Sequence, residues 1–185
     1  MHDITFNRFP GGRHKAFTMS YDDGREQDRR MVETLNRYGL KASFHLNSGF
    51  FDTEGYVRSD EIASLYAGHE VSCHTVNHPR LPMTPLDTVV EELSRNRADL
   101  ESLVGYPVRG FSYPCGGHNN DHRIARVLPA LGIAYGRTLQ NDREFLVPYA
   151  PHRWPSTCHH NDDLMGWTER FSALEPGSEA QLFFV

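Results

Sequence analysis

Two clusters of side chains in this chain could do chemistry together. Ser20-Tyr21-Asp22-Asp23-Gly24 sets two carboxylates side by side at the end of a strand-like run, followed by a chain-reversing glycine. Adjacent carboxylates repel, and a bound cation, or a proton retained on one of them, relieves the repulsion. His74-Thr75-Val76-Asn77-His78-Pro79 places two imidazoles four residues apart. That spacing lets both face one ion if the segment makes a helical turn, which Pro79 keeps short. Taken alone, the first cluster is good solvated-turn chemistry, and the second a pair of surface or hydrogen-bonded histidines. Taken together, Asp23 gives the histidines a carboxylate partner. A His-His-Asp set is a facial arrangement with open positions for water and substrate, suited to zinc or another divalent transition metal such as cobalt, nickel or manganese.

These residues need elements to hold them. Residues 4–9 and 14–21 read as strand-like runs around Pro10-Gly11-Gly12-Arg13, a hairpin or a lead-in to the first core strand. Side chains alternate along a strand, so Asp22 and Asp23 should diverge unless the turn at Gly24 re-aims one. Further strands are expected at 41–47, 70–75, 109–113, 133–138, 153–158 and 181–185. Helices are expected at 26–38, at 59–66 with a cap at Ser59-Asp60-Glu61-Ile62, at 86–104, at 121–131 and at 162–174. Residues 139–151 read as a connecting loop with a short extended piece. The longest helix, 86–104, carries Leu86, Val89, Val90, Leu93, Leu100 and Leu103 with charges between them, and Gly105 and Pro107 end it. So regular an alternation predicts right-handed crossovers and a parallel sheet. The fold class is α/β, a distorted (β/α) barrel of about seven parallel strands with reactive groups on the loops after the strands. Both clusters fall there, as does the segment 114–118.

The whole chain bounds the function. Its 185 residues, 38% of them hydrophobic, are expected to form one domain over 1–185 with a real core. Nineteen Lys and Arg against 24 Asp and Glu leave a slight acidic balance with no long basic run, which argues against nucleic acid as a partner. No apolar stretch approaches the roughly 20 residues of a membrane helix, and the polar N-terminus lacks a signal-peptide apolar region. A cytoplasmic location without a membrane partner is expected. Three cysteines do not make a disulfide framework, so Cys73, Cys115 and Cys158 read as reduced thiols. Nothing in the sequence fixes the oligomeric state.

The chain resembles a polysaccharide deacetylase of the NodB-homology, carbohydrate esterase family 4-like group. The resemblance covers nearly the whole chain and rests on Ser20-Tyr21-Asp22-Asp23-Gly24, on His74-Thr75-Val76-Asn77-His78-Pro79 and on Arg109-Gly110-Phe111-Ser112-Tyr113-Pro114, in that order and each at a strand end. It implies a distorted (β/α) barrel and metal-dependent removal of acetyl groups from N-acetylated, and possible O-acetylated, carbohydrates. Carried over residue by residue, it implies that Asp23, His74 and His78 bind the metal and that Asp22 is the general base acting on water. It further implies that the Tyr113 backbone N–H completes an oxyanion site and that Arg109 orients Asp22. Another small or cyclic amide is an alternative substrate, and a non-catalytic carbohydrate-binding domain with a vestigial metal site an alternative role. The family's general acid is a histidine on or just after the final strand. None follows Leu182-Phe183-Phe184-Val185, so the resemblance implies a chain cut short at its C-terminus, with His159 and His160 as the nearest substitutes. The family's Asp-rich, Trp-containing fourth motif is poorly matched around His152-Arg153-Trp154. His45, a polar residue in the apolar run Ser43-Phe44-His45-Leu46-Asn47, reads as hydrogen-bonded core or pocket lining.

Overall fold

A computed structural model describes residues 8–175, 177 and 179–185; residues 4–7 of the expected lead-in strand lie outside them. Seven strands form one sheet: β1 (Lys15–Asp23), β2 (Ala42–Leu46), β3 (Glu70–Cys73), β4 (Gly110–Ser112), β5 (Tyr135–Asn141), β6 (Trp154–Ser156) and β7 (Gln181–Phe184). Their order is β6-β5-β4-β3-β2-β1-β7, and every ladder is parallel. Parallel strands need crossovers, which put helices over the sheet and bury the central strands on both faces. Hence all five residues of β2 are buried, and so are Val71, Ser72 and Cys73 of β3.

The sheet curls until its edges approach. Thr157 N–H, just past β6, donates to the Phe184 carbonyl of β7 at 2.7 Å, and the Trp154 and Phe184 rings lie 6.1 Å apart. The result is the distorted seven-stranded α/β barrel that the alternation predicts.

The helices are α1 (Asp28–Arg37), α2 (Ile62–Leu65), α3 (Leu86–Val104), α4 (His122–Val127) and α5 (Leu164–Ala173). Helix α3 forms because Val89, Leu93, Asn96 and Leu100 recur at three- and four-residue spacing and bury as one stripe. It stops at Gly105, whose φ of 76° suits glycine and whose N–H donates to the Glu101 carbonyl at 2.9 Å. The expected helix at 59–66 is a 3-10 turn, Ser59–Glu61, running into α2, and the one at 121–131 is α4 followed by the 3-10 turn Pro129–Leu131. In the latter, Pro129 lacks the N–H that an α-helix would need there. The expected loop 139–151 is shorter, since β5 runs on to Asn141. Its extended piece is the bridge between Leu146 and Gln181.

Two apolar clusters fill the molecule. The larger joins β2, β3 and β4 to α1, α2, α3 and α4 through residues such as Phe44, Ile62, Leu93, Phe111 and Ile124. The smaller packs Cys158, Trp167, Phe171, Phe183 and Val185 around Phe145. No helix among the described residues is long and apolar enough to cross a membrane.

Candidate active site

Asp22 and Asp23 close β1, and the chain reverses at once. Asp23 has φ 78° and Gly24 φ 71°. Two consecutive left-handed residues break the strand's alternation, so Asp23 turns toward the same face as Asp22 instead of away from it. Gly24 also has no room for a side chain. A Cβ there would meet Leu46 Cδ2 at 3.2 Å in a backbone conformation that L residues rarely adopt.

The histidine pair is not on a helical turn. Thr75 (φ 69°) and His78 (φ 55°) are left-handed, and the segment between β3 and Leu81 has no helix. A bend does the work of the expected turn. His78 N–H donates to Thr75 Oγ1 at 3.1 Å, and the Val76 and Asn77 N–H groups both donate to Glu92 Oε2 of α3 at 2.9 Å. Asn47, at the exit of β2, donates to the His74 and Thr75 carbonyls, while Asn96 of α3 accepts from His74 N–H at 2.9 Å and donates to the Leu46 carbonyl at 3.0 Å. Buried backbone groups must find partners, and here side-chain amides and one carboxylate supply them. Asn96 could have been found in the sequence as the polar member of the buried α3 stripe; Asn47 and Glu92 carried no comparable signal.

These two turns bring three potential ligands together. Asp23 Oδ1 lies 3.6 Å from His74 Nε2 and 3.6 Å from His78 Nε2, and the three ligand atoms all fall within 4.8 Å of one another. Bonds of about 2.0–2.2 Å to a tetrahedral divalent ion separate neighbouring ligand atoms by roughly 3.4 Å, so the set fits one such ion. The His74 ring is prepared for it. Its Nδ1–H donates to the Ser112 carbonyl at 2.8 Å, which fixes the tautomer and leaves the Nε2 lone pair facing Asp23. Burial pushes the ring's pKa below the ordinary histidine value, against the pull of Asp22, so it is neutral as a ligand must be.

Arg137, in the middle of β5, reaches across the barrel interior and ion-pairs with Asp22 through Nη2 and Oδ1. Burial raises the Asp22 carboxyl, but the Arg137 charge and the Arg137 hydrogen bond outweigh it and hold the group below the usual carboxylate range. Asp22 is therefore a carboxylate at neutral pH.

Two expectations are corrected here. Arg109 does not meet Asp22: it is exposed and precedes β4, at the opposite end of the strands. Its carbonyl accepts from Ala134 N–H at 2.7 Å, and the guanidinium that meets Asp22 is that of Arg137. The Tyr113 N–H is not available to an oxyanion either. It donates to the Arg137 carbonyl at 3.0 Å as part of the β4–β5 pairing, and the buried phenol donates to the His152 carbonyl at 2.7 Å. The N–H that does face the ligands belongs to Cys115, itself left-handed at φ 67°, which donates to His78 Nε2 at 3.3 Å. The signal for Arg137 was present in the sequence as a charged residue inside a strand pattern, but its partner lies 115 positions away.

Beside Asp22 opens a cavity of about 220 Å³ whose walls include Met19, Tyr21, Arg137, Leu139, His159 and His160. The two histidine ring centroids lie 4.1 Å apart, with the rings tilted by 33°. Burial and the neighbouring His159 lower the pKa of His160. Cys73 and Cys158 are buried free thiols, and Cys115 Sγ sits 3.7 Å from His78 Nδ1.

Residues 10–136 match the family model for polysaccharide deacetylase. The peptidoglycan-N-acetylglucosamine deacetylase PgdA of Listeria monocytogenes is 26% identical over 109 residues, which are 57% of this chain and 22% of that protein. Among solved structures, the Streptococcus pyogenes deacetylase PplD in complex with acetate superposes with a TM-score of 0.62 at 19% identity, over 66% of this chain and 55% of PplD. A mutant of BA3943, a CE4 family pseudoenzyme with restored enzymatic activity, covers 97% of this chain and 58% of its own at a TM-score of 0.55 and 16% identity. At those identities the two structures establish the fold alone. The chain thus spans about a fifth of the curated relative's length and little more than half of the structural neighbours'.

Proposed function

Because this chain belongs to the polysaccharide deacetylase family, we propose that it is a metal-dependent hydrolase removing acetyl groups from N-acetylated carbohydrates, with O-acetyl esters as further substrates. The observation that carries this reading is the Asp23–His74–His78 cluster with a second carboxylate, Asp22, beside it and kept ionised by Arg137. A divalent ion held there, zinc in the first instance, would supply Lewis acidity, polarising the acetyl carbonyl and lowering the pKa of water.

The chain's own groups do the rest. Asp22 accepts the proton of the attacking water, and Arg137 keeps that carboxylate unprotonated and oriented. Once His78 Nε2 is committed as a ligand, the Cys115 N–H loses its present acceptor and is free to donate to the developing oxyanion. The leaving amine needs a proton, and His159 and His160, on the wall of the cavity that Asp22 also lines, are the candidates to deliver it.

The substrate in the name of PgdA, the N-acetylglucosamine of peptidoglycan, is the first to try. Purified chain loaded with zinc, and separately with cobalt, nickel or manganese, is expected to release acetate from peptidoglycan or chitooligosaccharides. Release from a panel of cyclic amides instead would move the substrate class. Stoichiometric metal with carbohydrate binding but no hydrolysis of either would make the domain a binding module.

A further inference from the structure

We propose that Ser20 and His45 are positioning residues for the Arg137–Asp22 pair, acting through a one-way hydrogen-bond chain in which neutral His45 carries its proton on Nδ1. Their functional weight rests on Asp22 being the base; the direction of the chain does not.

The direction follows from what each group can donate. Arg137 is 8% exposed, and its Nε lies 3.1 Å from Ser20 Oγ while Nη2 holds Asp22. A guanidinium only donates, so Ser20 Oγ accepts from it. The same oxygen lies 2.9 Å from Nε2 of His45, which is fully buried. Burial and the Arg137 charge, against the pull of Asp22, push the His45 pKa down to about 3, leaving two neutral tautomers.

If Nε2 carried the proton, the Ser20 oxygen would receive two donors, and its own proton could turn only toward the cavity that Ser20 lines. His45 Nδ1 would then be a buried acceptor with no partner. With the proton on Nδ1, Ser20 donates to Nε2 and only the Nδ1–H lacks a close partner. The backbone of Cys73, across the β2–β3 ladder, acts on the ring in the sense that favours this proton. Either tautomer leaves His45 Nδ1 without a close partner, but only the proton on Nδ1 is favoured by the Cys73 backbone and lets Ser20 donate within the protein, which selects this arrangement.

The geometry explains why this chain acts on Asp22. Ser20 and Asp22 are two residues apart on β1 and share a face of the strand, and His45 pairs in register with Asp22 on β2. Arg137 arrives alone from β5, on the far side of the sheet order. A guanidinium gripped only through Nη2 could swing about that bond; gripped also through Nε, it presents one fixed fork to the carboxylate. His45 acts one step further back, by taking the Ser20 proton and so turning the hydroxyl lone pair toward Arg137.

The test reads the chain of donors directly. In metal-free wild-type protein, long-range 15N–1H correlations of labelled histidine are expected to give His45 a protonated Nδ1 and an unprotonated Nε2. Arg137 Nε–H is expected to exchange with solvent about tenfold faster in Ser20→Ala and His45→Phe, and at the wild-type rate in Ser20→Thr, which keeps the hydroxyl. In the metal-loaded protein, Ser20→Ala should lower kcat about tenfold with KM and metal content unchanged, and Ser20→Thr should restore it. A proton on Nε2 of His45, or unchanged Arg137 exchange in Ser20→Ala, overturns the proposal whether or not the chain hydrolyses amides. If the variants do not fold, the wild-type tautomer alone decides. Absence of turnover with the expected tautomer and exchange would instead count against the enzymatic reading.

Discussion

Residues 10–136 and residues 137–185 build unlike parts of one site. The first stretch, which coincides with the family match, carries the three proposed ligands and Asp22, and it holds them largely through the main chain. Asp23, Thr75, His78 and Cys115 sit at positive φ, and Asn47, Glu92 and Asn96 tie the histidine segment to α3 and β2. The second stretch begins with the residue that grips Asp22, Arg137, and adds the cavity wall at His159 and His160 over the smaller apolar cluster. Ligands are fixed by backbone conformations that few sequences tolerate; the groups that tune them arrive as single long side chains. The match to the family model ends one residue before Arg137.

The deepest cut at this comparison is removal of a ligand. His74→Ala or His78→Ala should lose the metal and all measurable deacetylation, and wild-type stoichiometry by elemental analysis in both would break the ligand assignment. Asp22→Asn should keep the metal and lose roughly 10²–10⁴-fold in turnover, since an amide cannot take the proton; loss of metal as well would make Asp22 a ligand.

The second stretch is probed by a pair of arginines. Arg137→Ala is expected to cost roughly 10–10²-fold in kcat with metal retained, whereas Arg109→Ala should leave turnover at the wild-type level. Equal losses would return Arg109 to the site.

The last effect is on stability, behind the carboxylates. Burial raises the Asp28 pKa from 3.8 to about 7, with Asp23 and Asp22 adding to the rise and the Tyr66 hydrogen bond, 2.6 Å long, opposing it. The folded chain therefore keeps a proton that the unfolded chain gives up. That contribution to stability is complete below the unfolded value and disappears as pH rises through about 7. A side-chain amide in its place would still accept from Tyr66 and never charges, so Asp28→Asn should exceed wild type by roughly 3–4 kcal/mol at pH 8 and match it near pH 4 in urea midpoints. No gain at pH 8 would mean that the charge is tolerated there.

What could be read in advance divides along the same line. Helix α3 is legible to the residue because its apolar stripe and Gly105 are local signals, and the ligand set is legible because carboxylate and imidazole are recognised by type. The bend between His74 and His78 is not, since a β-branched Thr75 in the left-handed region goes against its own preference, and its carbonyl is held by Asn47 from the exit of β2. The resemblance points to Arg109 because a motif is a neighbourhood in sequence, and the Asp22 partner, Arg137, is a neighbour only in space.

The β1–β7 ladder, Lys15–Thr18 against Gln181–Phe184, joins positions near the two ends of the described chain. On a ribosome adding about 5–20 residues per second, β1 emerges and then waits on the order of ten to thirty seconds for that partner. Throughout, one edge of the strand bearing Asp22 and Asp23 has its hydrogen-bonding groups bare, beside Phe17, whose eventual contact is Phe183 at 5.3 Å. Growth rate and chaperone supply should therefore govern the yield of active protein more than the stability of the finished fold does.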